Sequence, residues 1–506
     1  MSHSCKYGKY FKKVGFGLIV LFALTSCRQE KKMQPNILFA IADDWSFYHS
    51  SYENYPEIHT PNFDKVANQG IYFQRAYCNA PSCTASRASI LTGKNGWELK
   101  EGGVLWGLLP IEFEVYPELL EENGYHVGYT GKGWAPGSIE AAGRTQNPAG
   151  KAYNDLKKEM YPELKIEKGT VSMIDYAANF EQFLESRIKD QPFCFWYGGW
   201  EPHRKYDDGI GKRVGKDPTK LILPRSFPDD SITRSDVLDY LFEVEIFDLH
   251  LGRMLHHLED IGELENTLVL VTSDNGMPFP RSKANLYEYG THMPLAIMWK
   301  GRVKGGRKVM DIVNLADIAP TVLEAAGLEI PKAMTSKSLL PLVLSDKEGQ
   351  IDPKHNWTVT YRERHAWVHP GGAIAPVRAL RQDDWLLIWN LIPEMWPAGD
   401  IDPQYNFNQT AFGDCDNGPT KFDIMALEDA SPVFYQKAFG KRPEYELYNI
   451  AEDPYQMNNL VDDDNYNGLL TDLQKKLKDY LQTTKDPRIV GGDSVFVNTP
   501  YFGHRK

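Results

Sequence analysis

The chain is poor in several features that define common protein classes. Only six cysteines occur in 506 residues, at positions 5, 27, 78, 83, 194 and 415, which excludes a dense disulfide framework. Basic charge is in deficit: 56 Lys and Arg face 68 Asp and Glu, for a formal net charge of -12. Nucleic-acid-binding modules normally carry a basic face, so no nucleic-acid partner is expected. A polyanionic ligand would feel no long-range attraction either, and its recognition must come from a few cations set in a pocket. After residue 27 no apolar run reaches the roughly 20 residues that span a bilayer, and no internal repeat or low-complexity tract is evident. What remains, at 42% hydrophobic residues, suffices for one large α/β domain and a smaller one.

Residues 1–27 have the layout of an export signal. Lys6, Lys9, Lys12 and Lys13 precede an apolar run over 14–24 that is too short to cross a bilayer. Leu24-Thr25-Ser26-Cys27 resembles a bacterial lipobox. That resemblance implies a lipid attached at Cys27, residues 28–34 as a tether, and an exported protein of the periplasm or outer membrane that meets the membrane through its lipid anchor only. The alternative is an ordinary signal peptide cleaved near the same place.

Residues 36–42 form an apolar, β-rich run ending in Asp43-Asp44, which reads as a buried central strand with carboxylates at its carboxyl end. Residues 267–272 form a second, ending in Ser273-Asp274-Asn275-Gly276. Two more, 125–130 before Gly131-Lys132 and 192–197 before Glu201-Pro202-His203-Arg204, fit the pattern. Helices are expected over 62–69, 117–123, 174–187 and 235–261, with 313–327 as the last helix of this domain. Alternating strands and helices predict a mostly parallel sheet covered on both faces, with ligands at the strand ends. Beyond a loop at 331–346, short strands at 357–361, 377–381 and 385–390 and an amphipathic helix around Leu469 to Leu481 predict a smaller antiparallel α+β domain. The expected division is 35–350, 351–490 and a tail at 491–506.

Two sets of residues then stand out. In the run from Cys83 to Gly93, a helix would project Cys83 and Arg87 from neighbouring turns toward one point and aim free N–H groups there, a layout for an anion. Asp43, Asp44, Asp274 and Asn275 offer hard oxygen donors from two strand ends, which suit Ca²⁺ and then Mg²⁺. Alone, a Cys is a small packed residue and an Asp-Asp pair serves turns or caps. Their coincidence points to a site.

The segment Cys83-Thr84-Ala85-Ser86-Arg87, with Leu91-Thr92-Gly93 after it, resembles the signature of the formylglycine-dependent sulfatases. The resemblance implies the alkaline-phosphatase-like α/β fold and the hydrolysis of a sulfuric ester or sulfamate. It implies that a maturation enzyme converts Cys83 to formylglycine, whose hydrate attacks sulfur. It implies one Ca²⁺ held by Asp43, Asp44, Asp274 and Asn275 that also touches residue 83. By the same resemblance Arg87, Lys132, His203 and Lys283 balance the charge of sulfate and leaving group, with His203 as general acid aided by Lys283. One position departs: two residues after Lys132 the family has a histidine that contacts the nucleophile, and this chain has Trp134. His126 and His292 are the replacements the sequence offers. Cys78, Cys194 and Cys415 are then left over, and one disulfide among them is possible.

The run Thr272 to Pro280, Lys283, Asn285-Leu286-Tyr287, Glu446-Leu447-Tyr448, Asp453-Pro454 and Asn459-Leu460 resembles the heparan N-sulfatase branch, which has Arg in place of Lys283. The implied substrate is a terminal N-sulfated glucosamine of heparan or heparin fragments, a sulfated carbohydrate. The alternatives are an O-sulfatase acting on another host or algal polysaccharide and, in a different class, a non-catalytic glycan-binding lipoprotein favoured only by Trp134.

Overall fold

A computed structural model describes residues 34–158 and 171–503. The expected signal segment, Cys27 and most of the tether lie outside the described residues. The central sheet has eight strands, in the order Arg307–Val309, Ile71–Phe73, Leu295–Met298, Thr267–Ser273, Asn36–Ala42, Phe193–Gly198, His126–Gly131 and Lys151–Ala152. The Asn36–Ala42 strand is buried at every residue, as an unbroken apolar run requires. Its side chains alternate between two cores: Ile37, Phe39 and Ile41 pack with Ile90 and Leu91 of the Cys83–Thr92 helix, and Leu38, Ala40 and Ala42 pack with Phe247 and Leu251 of the Ser231–Asp260 helix. The sheet is therefore covered on both faces.

Register decides where the chemistry collects. Asn36–Ala42 runs parallel to both Phe193–Gly198 and Thr267–Ser273, with Ala42 opposite Ser273. His126–Gly131 runs parallel to Phe193–Gly198, with Gly131 opposite Gly198. Asp43, Lys132 and Asp274 thus leave their strands at one end of the sheet. Gly131 has φ 73°, and a Cβ there would lie 1.9 Å from the Gly198 carbonyl oxygen, so only glycine allows the turn that delivers Lys132.

The second sheet is antiparallel and four-stranded: Trp357–Arg362, Val377–Gln382, Trp385–Asn390 and Tyr445–Asn449. Leu473, Leu477 and Leu481 of the Asn467–Thr483 helix pack in its core with Leu380, Leu387 and Leu447. Ala85 belongs to the same cluster, while Ala88, Ile90 and Leu91 belong to the core under the large sheet. The Cys83–Thr92 helix is wedged between the two sheets and buried along all of its residues.

Two expectations need correction, and one group of short strands was not expected. The expected helix over 313–327 is a two-residue strand, Val313–Asn314, then a 3₁₀ turn and the helix Ile318–Ala325. Asn314 and Asp317 cap each other's backbone N–H groups and start the helix late. The short strands at Ile71–Phe73, Ala76–Tyr77, His292–Met293, Leu295–Met298 and Arg307–Val309 carry too few residues to show a period. Cys78, Cys83, Cys194 and Cys415 are all free, so the possible disulfide does not form; Cys78 and Cys194 are packed in one core and Cys415 in another. Among the described residues no helix is long and apolar enough to cross a membrane.

Candidate active site

The strand ends bring the expected residues together. One oxygen each of Asp43, Asp44 and Asp274 and the Sγ of Cys83 lie within 4.8 Å of one another. Lys132 Nζ reaches both Asp43 oxygens, at 2.8 and 2.6 Å, and Lys283 Nζ lies 2.8 Å from Asp44 Oδ2. Cys83 Sγ is 3.4 Å from Asp43 Oδ1. Asp44 takes φ 80°, a sparsely populated conformation for a residue with a side chain, and is held there by a backbone N–H bond to Asp274 Oδ1 at 3.2 Å and by Asn275 Nδ2 at 2.6 Å.

Arg87 sits one helical turn after Cys83, as expected. Its Nε donates to Asp274 Oδ2 at 2.7 Å and its Nη1 to the carbonyls of Lys132 and Gly133 at 2.7 and 3.0 Å. Its Nη2 has no hydrogen-bond partner and lies 3.7 Å from Asp43 Oδ1. Asn275 Oδ1 is likewise buried without a donor. A buried charge-bearing donor and a buried amide oxygen left unmatched at one spot call for a ligand, because such groups otherwise pay for their desolvation. At the helix N-terminus Ser82 occupies the cap position, yet its side chain makes no cap bond. Its hydroxyl is instead 2.9 Å from Nδ1 of His365.

The electrostatics also call for a cation. Burial pushes Asp43 up, but Lys132, His203, Arg87 and Lys283 outweigh it and hold this carboxyl well below the ordinary range. Asp44 stays raised, because burial exceeds the help from Lys283 and His203. Burial and the charge of Asp43 push Asp274 up to about 6 despite Arg87. Two carboxylates short of positive charge beside the unpartnered Asn275 oxygen fit a hard divalent ion. Between Asp44 and Asp416 the situation differs. There Lys283 Nζ, 2.8 Å from the one and 3.1 Å from the other, already fills the place of a cation.

His203 is half-buried, with Nε2 3.9 Å from Asp44 Oδ2 and Nδ1 2.6 Å from the Arg204 carbonyl oxygen. A carbonyl only accepts, so Nδ1 carries a proton and Nε2 faces the site. Arg204 is clamped to Asp236 by paired 2.7 Å bonds, which fixes this loop.

The replacements offered for the missing family histidine are both elsewhere. His126 begins its strand, roughly 20 Å along the chain from Lys132, and stacks on Phe183. His292 is held between Phe47 and Tyr77, its ring nitrogens 2.9 Å from Glu288 Oε2 and the Gln74 carbonyl oxygen. Trp134 packs in the core, its backbone pinned on both sides by Asn147. Sequence reasoning missed Asp416 and His365. His365 is buried; burial first, then the charges of Lys283 and others, push it down to about 3. Both residues come from loops of the C-terminal region that carry no period or motif, so no sequence signal marked them.

Residues 35–328 match the family model described as Sulfatase. The chain belongs to the sulfatase family. Residues 281–403 match a second model, N-sulphoglucosamine sulphohydrolase, C-terminal. The human N-sulphoglucosamine sulphohydrolase is 27% identical, over 94% of this chain and 95% of its own. An N-acetylglucosamine-6-O-sulfatase of Bacteroides thetaiotaomicron is 26% identical, over 83% of this chain and 90% of its own. Among solved structures, a complex with the substrate D-glucosamine-2-N,6-O-disulfate has TM-score 0.61 at 22% identity, covering 90% of this chain and 98% of the other. A putative sulfatase from Bacteroides fragilis has TM-score 0.64 at 20% identity, covering 92% and 99%. The fold is thus the alkaline-phosphatase-like sulfatase fold, and the protein is a sulfatase hydrolase.

Proposed function

We propose that this sulfatase acts on sulfated glycans and that its preferred group is the N-sulfate of a terminal glucosamine in heparan or heparin fragments. The observation that carries the reading is the meeting of Cys83, the unpartnered Arg87 Nη2 and the unpartnered Asn275 Oδ1 in one buried set of carboxylates. The choice of glucosamine rests on the human relative and on the match of its C-terminal family model. In this reading Asp43, Asp44, Asp274 and Asn275 hold one Ca²⁺, with Mg²⁺ second, and Cys83 Sγ marks the place of a formylglycine hydrate. The ion would supply Lewis-acid polarisation of a sulfate oxygen and lower the pKa of the neighbouring hydroxyl.

Burial raises the Cys83 thiol well above its ordinary range, with Asp43 adding to it, so the unmodified residue is a poor nucleophile at neutral pH. This favours maturation over direct thiolate attack. Arg87 Nη2 and Lys132 bind sulfate oxygens. His203 delivers a proton from Nε2 to the leaving nitrogen, and Lys283 offsets charge beside it. His365, tied through Nδ1 to Ser82, the residue before Cys83, positions that segment; held down to about 3, it is too weak a base to replace the family histidine absent at Trp134. A free carboxylate on Asp416 keeps Lys283 in place; Lys283 and His203 overcome its burial and hold it below the ordinary range.

Production with a formylglycine-generating enzyme, mass spectrometry of the peptide containing residue 83, and assay on N-sulfoglucosamine test the reading. The expected result is an aldehyde at 83, release of sulfate and a free amine, loss of activity on chelation and its return with Ca²⁺. Inactivity on N-sulfated glucosamines with turnover of an O-sulfated sugar would move the assignment to an O-sulfatase, the reading that the Bacteroides thetaiotaomicron relative favours. Recovery with zinc alone would overturn the hard-oxygen site. Export and lipid attachment rest on the sequence; fatty-acid labelling that survives in Cys27→Ser would refute attachment at Cys27.

A further inference from the structure

A cavity of about 330 Å³ is lined by Trp367, His369, Gln404, Tyr405, Phe407 and Gln409 among others. It adjoins the nucleophile through shared walls. Cys83 belongs to a small apolar cluster with Leu105, Ala366 and Val368, and Trp106 and Phe407 pack against that cluster. Residues 365–369 therefore run from one place to the other. His365 bonds Ser82, Ala366 and Val368 pack toward Cys83, and Trp367 and His369 line the cavity. Three residues span at most about 11 Å, so the cavity begins close to where a bound sulfate would sit.

Its chemistry is that of a sugar site. Trp367 and Tyr405 offer flat apolar faces to the C–H face of a pyranose, and Gln404 and Gln409 offer both donors and acceptors to hydroxyls. His369 is 4% exposed, and its Nε2 has no hydrogen-bond partner among the described residues. The Trp367 ring is held in advance: it lies 5.9 Å from the ring of Tyr501, and a Cβ on Gly372, which has φ 74°, would fall 2.4 Å from it. Among the described residues that line the space there is no Lys, Arg, Asp or Glu, although the Arg364 guanidinium lies 6.0 Å from the Trp367 ring centroid; burial, followed by the charge of Arg362, pushes His369 down to about 4. The volume is within the roughly 300–1,000 Å³ range of small-molecule sites.

We propose that this cavity is a second sugar subsite, which takes an unsulfated pyranose ring next to the sulfated residue and gives the enzyme a preference for oligosaccharides over single sugars. The proposal rests on the glycan-sulfatase reading but not on N-sulfate as the group removed.

The test uses the full chain carrying Cys83→Ala, titrated calorimetrically with an unsulfated tetrasaccharide of the heparan backbone and, separately, one from an algal backbone. One of them should bind, and Trp367→Ala, and independently the surface substitution Tyr405→Ala, should weaken it at least tenfold. In matured enzyme the same variants should lower kcat/KM on a sulfated oligosaccharide at least tenfold more than on an aryl sulfate. Binding of neither tetrasaccharide, or equal losses on oligosaccharide and aryl sulfate, would overturn the subsite. A correct subsite on an O-sulfatase would still pass both arms, with activity confined to O-sulfated chains.

Discussion

Two regions of this molecule bury charge at high density, and they treat it in opposite ways. Where the second sheet meets the C-terminal helices, Arg378 gives two bonds to Asp486, at 2.5 and 3.0 Å, and one to Glu363 at 2.8 Å, and Arg488 reaches the other Glu363 oxygen at 2.7 Å. Arg378, Glu363 and Asp486 are fully inaccessible in their side chains, and none is left with an unmatched polar atom. At the strand ends, Asp43, Asp44, Asp274, Arg87, Lys132 and Lys283 are just as buried, yet Arg87 Nη2 and Asn275 Oδ1 find no partner. Buried charge by itself therefore does not mark function. Nor does a lone unmatched atom, since Glu243 Oε1 and Arg362 Nε are also buried without a partner; the strand ends differ in gathering unmatched atoms around a set of carboxylates that could hold an ion.

The sharpest break between the regions should come from Cys83→Ala. Turnover should fall by about 10⁴-fold or more, while the melting temperature, read by calorimetry, stays near that of the parent because no core contact of size is lost. Substantial residual activity would contradict covalent catalysis at this residue. Arg378→Met should do the reverse. It strands two buried carboxylates, so urea unfolding should show a loss of roughly 3–5 kcal/mol, with specific activity of the folded fraction retained. A neutral effect would mean that the network is not a stabilising element.

Glu288 sharpens the comparison through pH. Burial pushes its carboxyl up, but Arg381 and His292 outweigh burial and bring it to about 2, below the ordinary 4.5. A carboxyl depressed on folding contributes stability that is full above pH 4.5 and is lost as pH falls through 2. The parent should therefore lose roughly 3 kcal/mol from this group between pH 5 and 2, and Glu288→Gln should be less stable at pH 7 and lose less on acidification. Parallel acid limbs for parent and variant would refute the linkage. The smallest expected effect belongs to His365→Gln. Its kcat should drop on the order of tenfold to a hundredfold, with fold and Ca²⁺ response kept. An unchanged kcat would mean that the His365–Ser82 bond does not help to position the Cys83 segment.

Much of the site was legible along the chain because its parts are local. The Asn36–Ala42 and Thr267–Ser273 strands are apolar runs that end in carboxylates, and the Cys83–Thr92 helix carries Cys83 and Arg87 one turn apart. Such features depend on residues a few positions from one another, so composition and spacing determine them. The short strands were not legible, since two to four residues show no period and exist only because a longer neighbour offers hydrogen bonds. Neither were His365 and Asp416. They lie in loops whose path is set by packing of the second sheet against the nucleophile helix, and nothing near them in sequence encodes that approach.

The sequence by itself thus determined the family, the strand-end carboxylates and the place of Cys83 one turn before Arg87, since these follow from local pattern. Only the tertiary structure decided that Trp134 is a core residue, that His126 and His292 serve elsewhere, and that a histidine and an aspartate from the far end of the chain close the site. Those outcomes turn on contacts between segments from 13 to 283 residues apart, where a side chain's role is fixed by the neighbours that packing brings to it and not by those beside it in the chain.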